Sequence, residues 1–203
     1  MDTENGSISR TVLSSEGDTA LRRCMRVAAE LDRGQPRTLL PLIVRSPLAA
    51  TVDCVSICEN FVHGRVRSII DRHVDGMNDI VLATMYKQAK SIDSSWTSVR
   101  DAAKNYLGFD LFSLEEYPPF AGLIEVRNAA LHGGGALTAQ QRKREDETVR
   151  KIKRAGFDLR GIEIDPPGGS ALPVARMCGR MITAVDFKTW SPGGGLVSVV
   201  PVS

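Results

Sequence analysis

The sequence predicts an all-α fold: an up-and-down bundle of four to five helices with a small β excursion near residues 157–165. Three observations predict it. Apolar residues recur at helical spacing through most of 19–190, and helix starts and stops are marked by Ser, Asp, Pro and Gly. Aromatic residues make up only 5% of the chain, which leaves the core to Leu, Ile, Val, Ala and Met. At 203 residues the chain is long enough for one domain with a sizeable core.

Residues 1–18 are rich in Ser, Thr, Glu, Asp and Gly and have little to bury, so they read as a flexible arm. The run 19–31, TALRRCMRVAAEL, has helical spacing and is stopped by GQP at 34–36. An apolar-periodic stretch then runs from 39 to about 70. Pro47 should break it, so the main helix starts there, with Val52, Val55, Cys58, Val62, Val66 and Ile69 on its core face. Residues 71–80 read as a connection and 80–92 as a third helix. DSSWTSVRDAAKNYLG, 93–108, follows as a helix with a Ser or Asp start and a stop at Gly108.

Residues 109–119 read as a loop, with Pro118 and Pro119 just before the helix FAGLIEVRNAALH, 120–132, which ends in Gly133, Gly134 and Gly135. The charged run 138–156 is helical in period. FDLRGIEIDPPGG, 157–169, reads as one or two short strands about a turn at Arg160-Gly161, and 172–190 as a closing helix. The tail, SPGGGLVSVVPVS at 191–203, reads either as mobile or as an edge strand on a partner. The expected organisation is an arm (1–18), one domain (19–190) and a tail (191–203).

A formal net charge of +2 does not by itself advertise nucleic-acid binding. No run reaches the roughly 18 apolar residues of a membrane span, and the polar, acidic start is unlike a signal peptide, so the expected location is the cytoplasm. Cys24, Cys54, Cys58 and Cys178 form no C-x-x-C pair and read as buried thiols of a reducing compartment. His63 and His73 have no carboxylate or thiol at ligand spacing, so neither a metal nor another cofactor is expected. The three glycines are not followed by Lys-Ser/Thr and so do not make a phosphate loop.

Chemistry concentrates at Arg127, Asn128 and His132. With 19 arginines and three histidines, chance supplies about one Arg-x4–6-His match, and Arg67 to His73 is a second one. Context separates them, because Arg127 to His132 lies on an apolar-periodic helix, includes an Arg-Asn pair and runs straight into Gly-Gly-Gly. Asn128 and His132 share a face one turn apart, so the amide is expected to touch the imidazole. Arg127 sits roughly 140° round from His132 on an ideal helix. They converge only if the helix opens at its end or a second subunit supplies the other half. A histidine at a helix C-terminus is also stabilising by itself through the macrodipole.

The line LIEVRNAALHGGG resembles the defining helix of the HEPN superfamily, whose members often carry Arg-Asn-x-x-x-His before a Gly-containing turn. The long helix bearing Cys58-Glu59-Asn60-Phe61, the segment WTSVRDAAKNYLGFDLFS and RGIEIDPP before a last helix agree with it, nearest to the RiboL-PSP and related HEPN branch. The resemblance spans about 48–190. It implies a metal-independent endoribonuclease, often a toxin of a toxin–antitoxin system or a phage-defence effector, working as a homodimer with both motifs facing one cleft. An antitoxin or defence-system partner is implied with it. In that chemistry the ribose 2′-hydroxyl attacks the adjacent phosphate, an imidazole moves the proton, and a guanidinium meets the developing charge. His132 and Arg127 would take those roles. Asn128 would orient the ring or bind phosphate, and Glu59 would support from the long helix.

Arg142, Lys143, Arg144, Arg150 and Lys151 are candidate RNA contacts, although Glu145, Asp146 and Glu147 interrupt the run and a solvated face reads equally. HEPN domains also occur as non-catalytic modules binding RNA, a nucleotide or a partner protein. A helical protein that engages a partner through its apolar tail is a third reading.

Overall fold

A computed structural model of the chain describes residues 13–33, 46–74, 95–166, 168 and 170–190. The helix expected at 80–92, the tail at 191–203 and most of the expected arm lie outside the described residues. What is described is an all-α bundle with a small β excursion, as the helical spacing predicts.

Three long helices make the core: α1 (Ser15–Asp32), α2 (Pro47–Val74) and α7 (Leu172–Thr189), each packed on the other two. The first begins four residues ahead of the start that apolar spacing suggests. The reason is a cap, since the Ser14 hydroxyl accepts from the Gly17 N–H and satisfies an orphan donor of the first turn. The second starts at Pro47 as expected but runs on through Asp71, because nothing in DRHV breaks a helix. Val55, Cys58, Val62, Val66 and Ile69 are buried as expected, and Val52 is half-buried. Burying a side chain of this size contributes about 1.5–3 kcal/mol.

All four cysteines are free and fully buried where these helices meet. The Cys24 and Cys54 thiols each donate to the other residue's carbonyl at 3.7 Å. Burial pushes the Cys58 and Cys178 thiols up, and the hydrogen bond from Cys24 together with burial does the same to Cys54. Those three thiols remain protonated and unreactive at neutral pH.

A polar lock ties the ends of the core helices. Asp186, 1% exposed, accepts from the Ser14 N–H at 2.7 Å, the Ser14 hydroxyl at 2.6 Å and Arg65 Nη2 at 3.1 Å. Arg65 also donates to the Thr189 hydroxyl and lies 3.7 Å from Glu16. Gly17 is required here, because a Cβ would sit 2.8 Å from an Asp186 oxygen.

The remaining elements wrap this core. Helix α3 (Trp96–Leu107) is capped by Ser95 and stopped by Gly108 at φ 71°. A 3-10 turn at Leu111–Ser113 leads to α4 (Tyr117–His132), which starts a little earlier than expected because Pro118 and Pro119 fit its first turn. The charged stretch 138–156 is two helices where the period suggests one: α5 (Ala139–Arg142) and α6 (Glu145–Arg154). Strands β1 (Asp158–Arg160) and β2 (Glu163–Asp165) pair antiparallel, with Leu159 opposite Ile164. Helix α4 lies between α2 and α6. At Gly122 it comes so close to α6 that a Cβ would collide with the Lys151 carbonyl.

Candidate functional site

Arg127 leaves α4 toward α2. Its Nη2 donates to Glu59 Oε2 at 3.1 Å and its Nη1 to Asn128 Oδ1 at 3.1 Å. The Arg127 and Glu59 side chains are 25% and 20% exposed, so the pair lies in a seam that solvent still reaches. Of the five N–H donors of a guanidinium, those two bonds use one each, and the buried Nε N–H has no partner among the described residues. The group is thus held from two sides, through Nη1 and Nη2.

Asn128 does not turn to His132, as the one-turn spacing suggests. Its carbonyl oxygen goes to the neighbouring guanidinium, a charge-assisted bond that outweighs an amide–imidazole bond at a wet helix end. His132, the last residue of α4, is exposed and makes no hydrogen bond or ion pair with the described residues. Within one chain the structure therefore joins Glu59, Arg127 and Asn128 and leaves His132 facing solvent, in keeping with the wide angular separation of Arg127 and His132.

The helix end is built firmly. The Ala129 carbonyl accepts from both Gly133 and Gly135, and the chain reverses through Gly134 at φ 62° and Gly135 at φ 99°. At Gly133 a Cβ would collide with the Ala136 carbonyl. The β-hairpin then clasps the turn, with Ile164 N–H donating to Gly135 O and Leu137 N–H to Ile162 O, both at 2.8 Å.

The basic residues divide into two groups. Arg142, Lys143 and Arg150 are exposed and form no ion pair among the described residues. Arg144 and Lys151 instead reach the buried Glu125, at 3.0 and 3.7 Å, and Lys151 also pairs with Glu147 at 2.6 Å. That bond from Lys151 lowers the Glu147 carboxyl below its ordinary range.

Glu125 is an organising residue the sequence reading missed. Gln141 Nε2 donates to both its carbonyl and its carboxylate at 2.9 Å, so one side chain fastens α5 and α6 to the helix that carries Arg127 and His132. The signal was the Thr138-x-x-Gln141 capping box, which fixes Gln141 at the start of α5. Beside the site, Trp96 packs edge-on between His63 and Phe120, with ring centroids at 5.2 and 5.1 Å.

No three His, Cys, Asp or Glu side chains among the described residues gather as a metal site requires, and no helix among them is long and apolar enough to cross a membrane. Comparison of the chain with family models, curated proteins and solved structures gives no match in any of the three. The chemistry of this site therefore rests on its own geometry.

Proposed function

We propose that the chain is a metal-independent endoribonuclease of the HEPN kind, cleaving RNA by 2′-hydroxyl attack to leave a 2′,3′-cyclic phosphate, and that it serves as a toxin or phage-defence effector in the cytoplasm. The observation that carries the reading is the Glu59–Arg127–Asn128 chain at the end of a helix whose last residue is an exposed histidine. A guanidinium fixed from two sides can bind the scissile phosphate and stabilise the charge that grows on it. An exposed imidazole is free to take the 2′-hydroxyl proton or return one to the leaving oxygen. Glu59 positions Arg127 and does not touch RNA.

His132 and Arg127 point different ways from one helix, so the working cleft is a homodimer cleft in which two helix ends meet. Helix α4 is packed against α2, α6 and α7 within the chain, while Leu131 and His132 at its C-terminal end are exposed. Leu131, 50% exposed beside His132, supplies apolar surface there. Arg142, Lys143 and Arg150 would follow the RNA backbone and make binding weaken with salt.

The purified chain incubated with mixed RNA in EDTA should yield fragments with cyclic phosphate ends. Cleavage that persists unchanged in His132→Ala overturns the assignment. A specific observation also favours the other reading, a non-catalytic module for RNA, a nucleotide or a partner protein: Arg127 already spends two donors on internal partners and His132 has no orienting group among the described residues. Salt-dependent RNA binding without turnover would select it.

A further inference from the structure

We infer that the groove between α7, α1 and the 108–116 loop is a self-complementary interface, which docks on the same groove of a second copy of this chain. The groove has a volume of about 910 Å³. It carries its own knob: Phe187, 69% exposed, stands out from α7 on the same face as Leu21, Met25 and Leu114. Large apolar side chains displayed together on one concave face mark an interaction surface. A knob and a recess on one face close a two-fold dimer, whereas a knob that fits a distant patch propagates an open chain.

Charge selects the occupant. Arg176, Arg180 and Lys188 line the groove from α7, and Glu115 and Glu116 line it from the loop. None of the five forms an ion pair among the described residues, while Asp110, the third carboxylate of the loop, is already held by Arg100 at 2.7 Å. Cations and carboxylates thus share one groove without closing on each other, and both sets are left for a partner. A nucleic acid or an acidic peptide would meet two free carboxylates, and a basic peptide three free cations. The matching surface places anions over α7 and cations over the loop.

A second copy turned about a two-fold axis along the groove does this. The rotation exchanges the two sides, so the α7 cations of each chain lie over the loop carboxylates of the other. An axis across the groove would put cations on cations, so charge fixes the orientation as well as the partner. In the matched arrangement the two α7 helices run in the same direction. Each Phe187 then faces the loop side of the other copy, where Leu114 lies, as the aromatic anchor of the interface.

This surface is not the proposed catalytic cleft. Glu116 is the N-cap residue of α4 and His132 its last residue, and the 16 residues of that helix span roughly 24 Å at the usual helical rise. The groove contact makes a dimer by itself, and a larger assembly if the helix ends also pair.

The test is the mass of the full chain measured by sedimentation. Phe187→Glu, at an exposed position, should at least halve the wild-type mass. Arg176→Glu with Arg180→Glu gives both sides of the groove net negative charge, and Glu115→Arg with Glu116→Arg gives both sides positive charge. Each charge variant alone should show the same loss, and an equal mixture of the two should regain the wild-type mass, which misfolded chains would not do. A mixture that stays dissociated overturns the inference. So does a wild-type mass that Phe187→Glu leaves unchanged, the result expected if another molecule or another part of the chain fills the groove. A dimer that persists in Phe187→Glu while RNA is still cut removes the groove contact alone; a monomeric wild type removes both this contact and the homodimer cleft.

Discussion

Two of the arginine–carboxylate pairs that join helices among the described residues, Arg65–Asp186 and Arg127–Glu59, differ in what they leave unfinished. Arg65 and Asp186 are 5% and 1% exposed at the side chain, and both oxygens of the carboxylate are claimed by Ser14 and Arg65. Arg127 and Glu59 are 25% and 20% exposed, and the guanidinium keeps a buried N–H without a partner among the described residues. The chemistry of the pairs is the same. The first is a closed lock whose removal harms only the fold, whereas the second stays within reach of solvent and, under the proposed function, is the clamp for the phosphate.

The largest expected effect breaks the closed lock. Asp186→Ala leaves Arg65 buried without its counter-charge and should cost about 3–5 kcal/mol, read as a lower urea midpoint. A loss under about 1 kcal/mol would mean that the pair is solvated and the contrast false. Glu59→Gln, at the partly exposed seam, should cost only about 1 kcal/mol and yet, under the proposed function, lower RNA cleavage roughly tenfold or more as the guanidinium loses its anchor. If stability falls as far as in Asp186→Ala while cleavage holds, both pairs are locks.

Arg100 and Asp110 give an intermediate case, a two-pronged pair at 2.8 and 2.7 Å with side chains 33% and 24% exposed. The bonds from Arg100 hold the Asp110 carboxyl down to about 2, below its ordinary value near 4. A carboxyl lowered by folding favours the folded state wherever it is ionised. The contribution is therefore complete above about pH 4 and fades as pH falls toward 2. Asp110→Asn should flatten the stability–pH curve in that window and shift the plateau by no more than about 1 kcal/mol. A wild-type curve already flat there would contradict the pairing. The smallest effect on folding is expected for His132→Ala, within about 0.5 kcal/mol. Under the proposed function it has a large effect on cleavage, about 10²-fold or more. A marked loss of stability would assign His132 to helix capping instead.

Much of this framework was legible in the chain. Pro47, Ser95, Gly108 and the glycines after His132 mark helix ends because each acts locally, through a fixed φ, a hydroxyl cap or a positive φ. What was not legible depends on partners distant in sequence. The charged run has no breaker at Lys143-Arg144, and it divides there because Gln141 is pulled to Glu125, 16 residues away. The early start of α1 likewise follows from Ser14 meeting Asp186 across 172 positions. At the site, helical spacing placed Arg127 and His132 on different faces, but it sent Asn128 to His132, whereas its oxygen accepts from Arg127. That choice is made by the charge of the adjacent guanidinium.

The hairpin clasp on Gly135 and Leu137 has an energetic consequence for whatever His132 meets. Helix ends commonly fray, and a group on a frayed end must be ordered at the moment of binding, at about 1–2 kcal/mol for each residue immobilised. Here folding has already ordered the backbone beneath the imidazole, through two 2.8 Å bonds from a strand pair some 30 positions onward. Only the side-chain torsions of His132 remain to be fixed. A partner or substrate arriving at this end meets a prepared support, and little of its binding energy is diverted to ordering the chain.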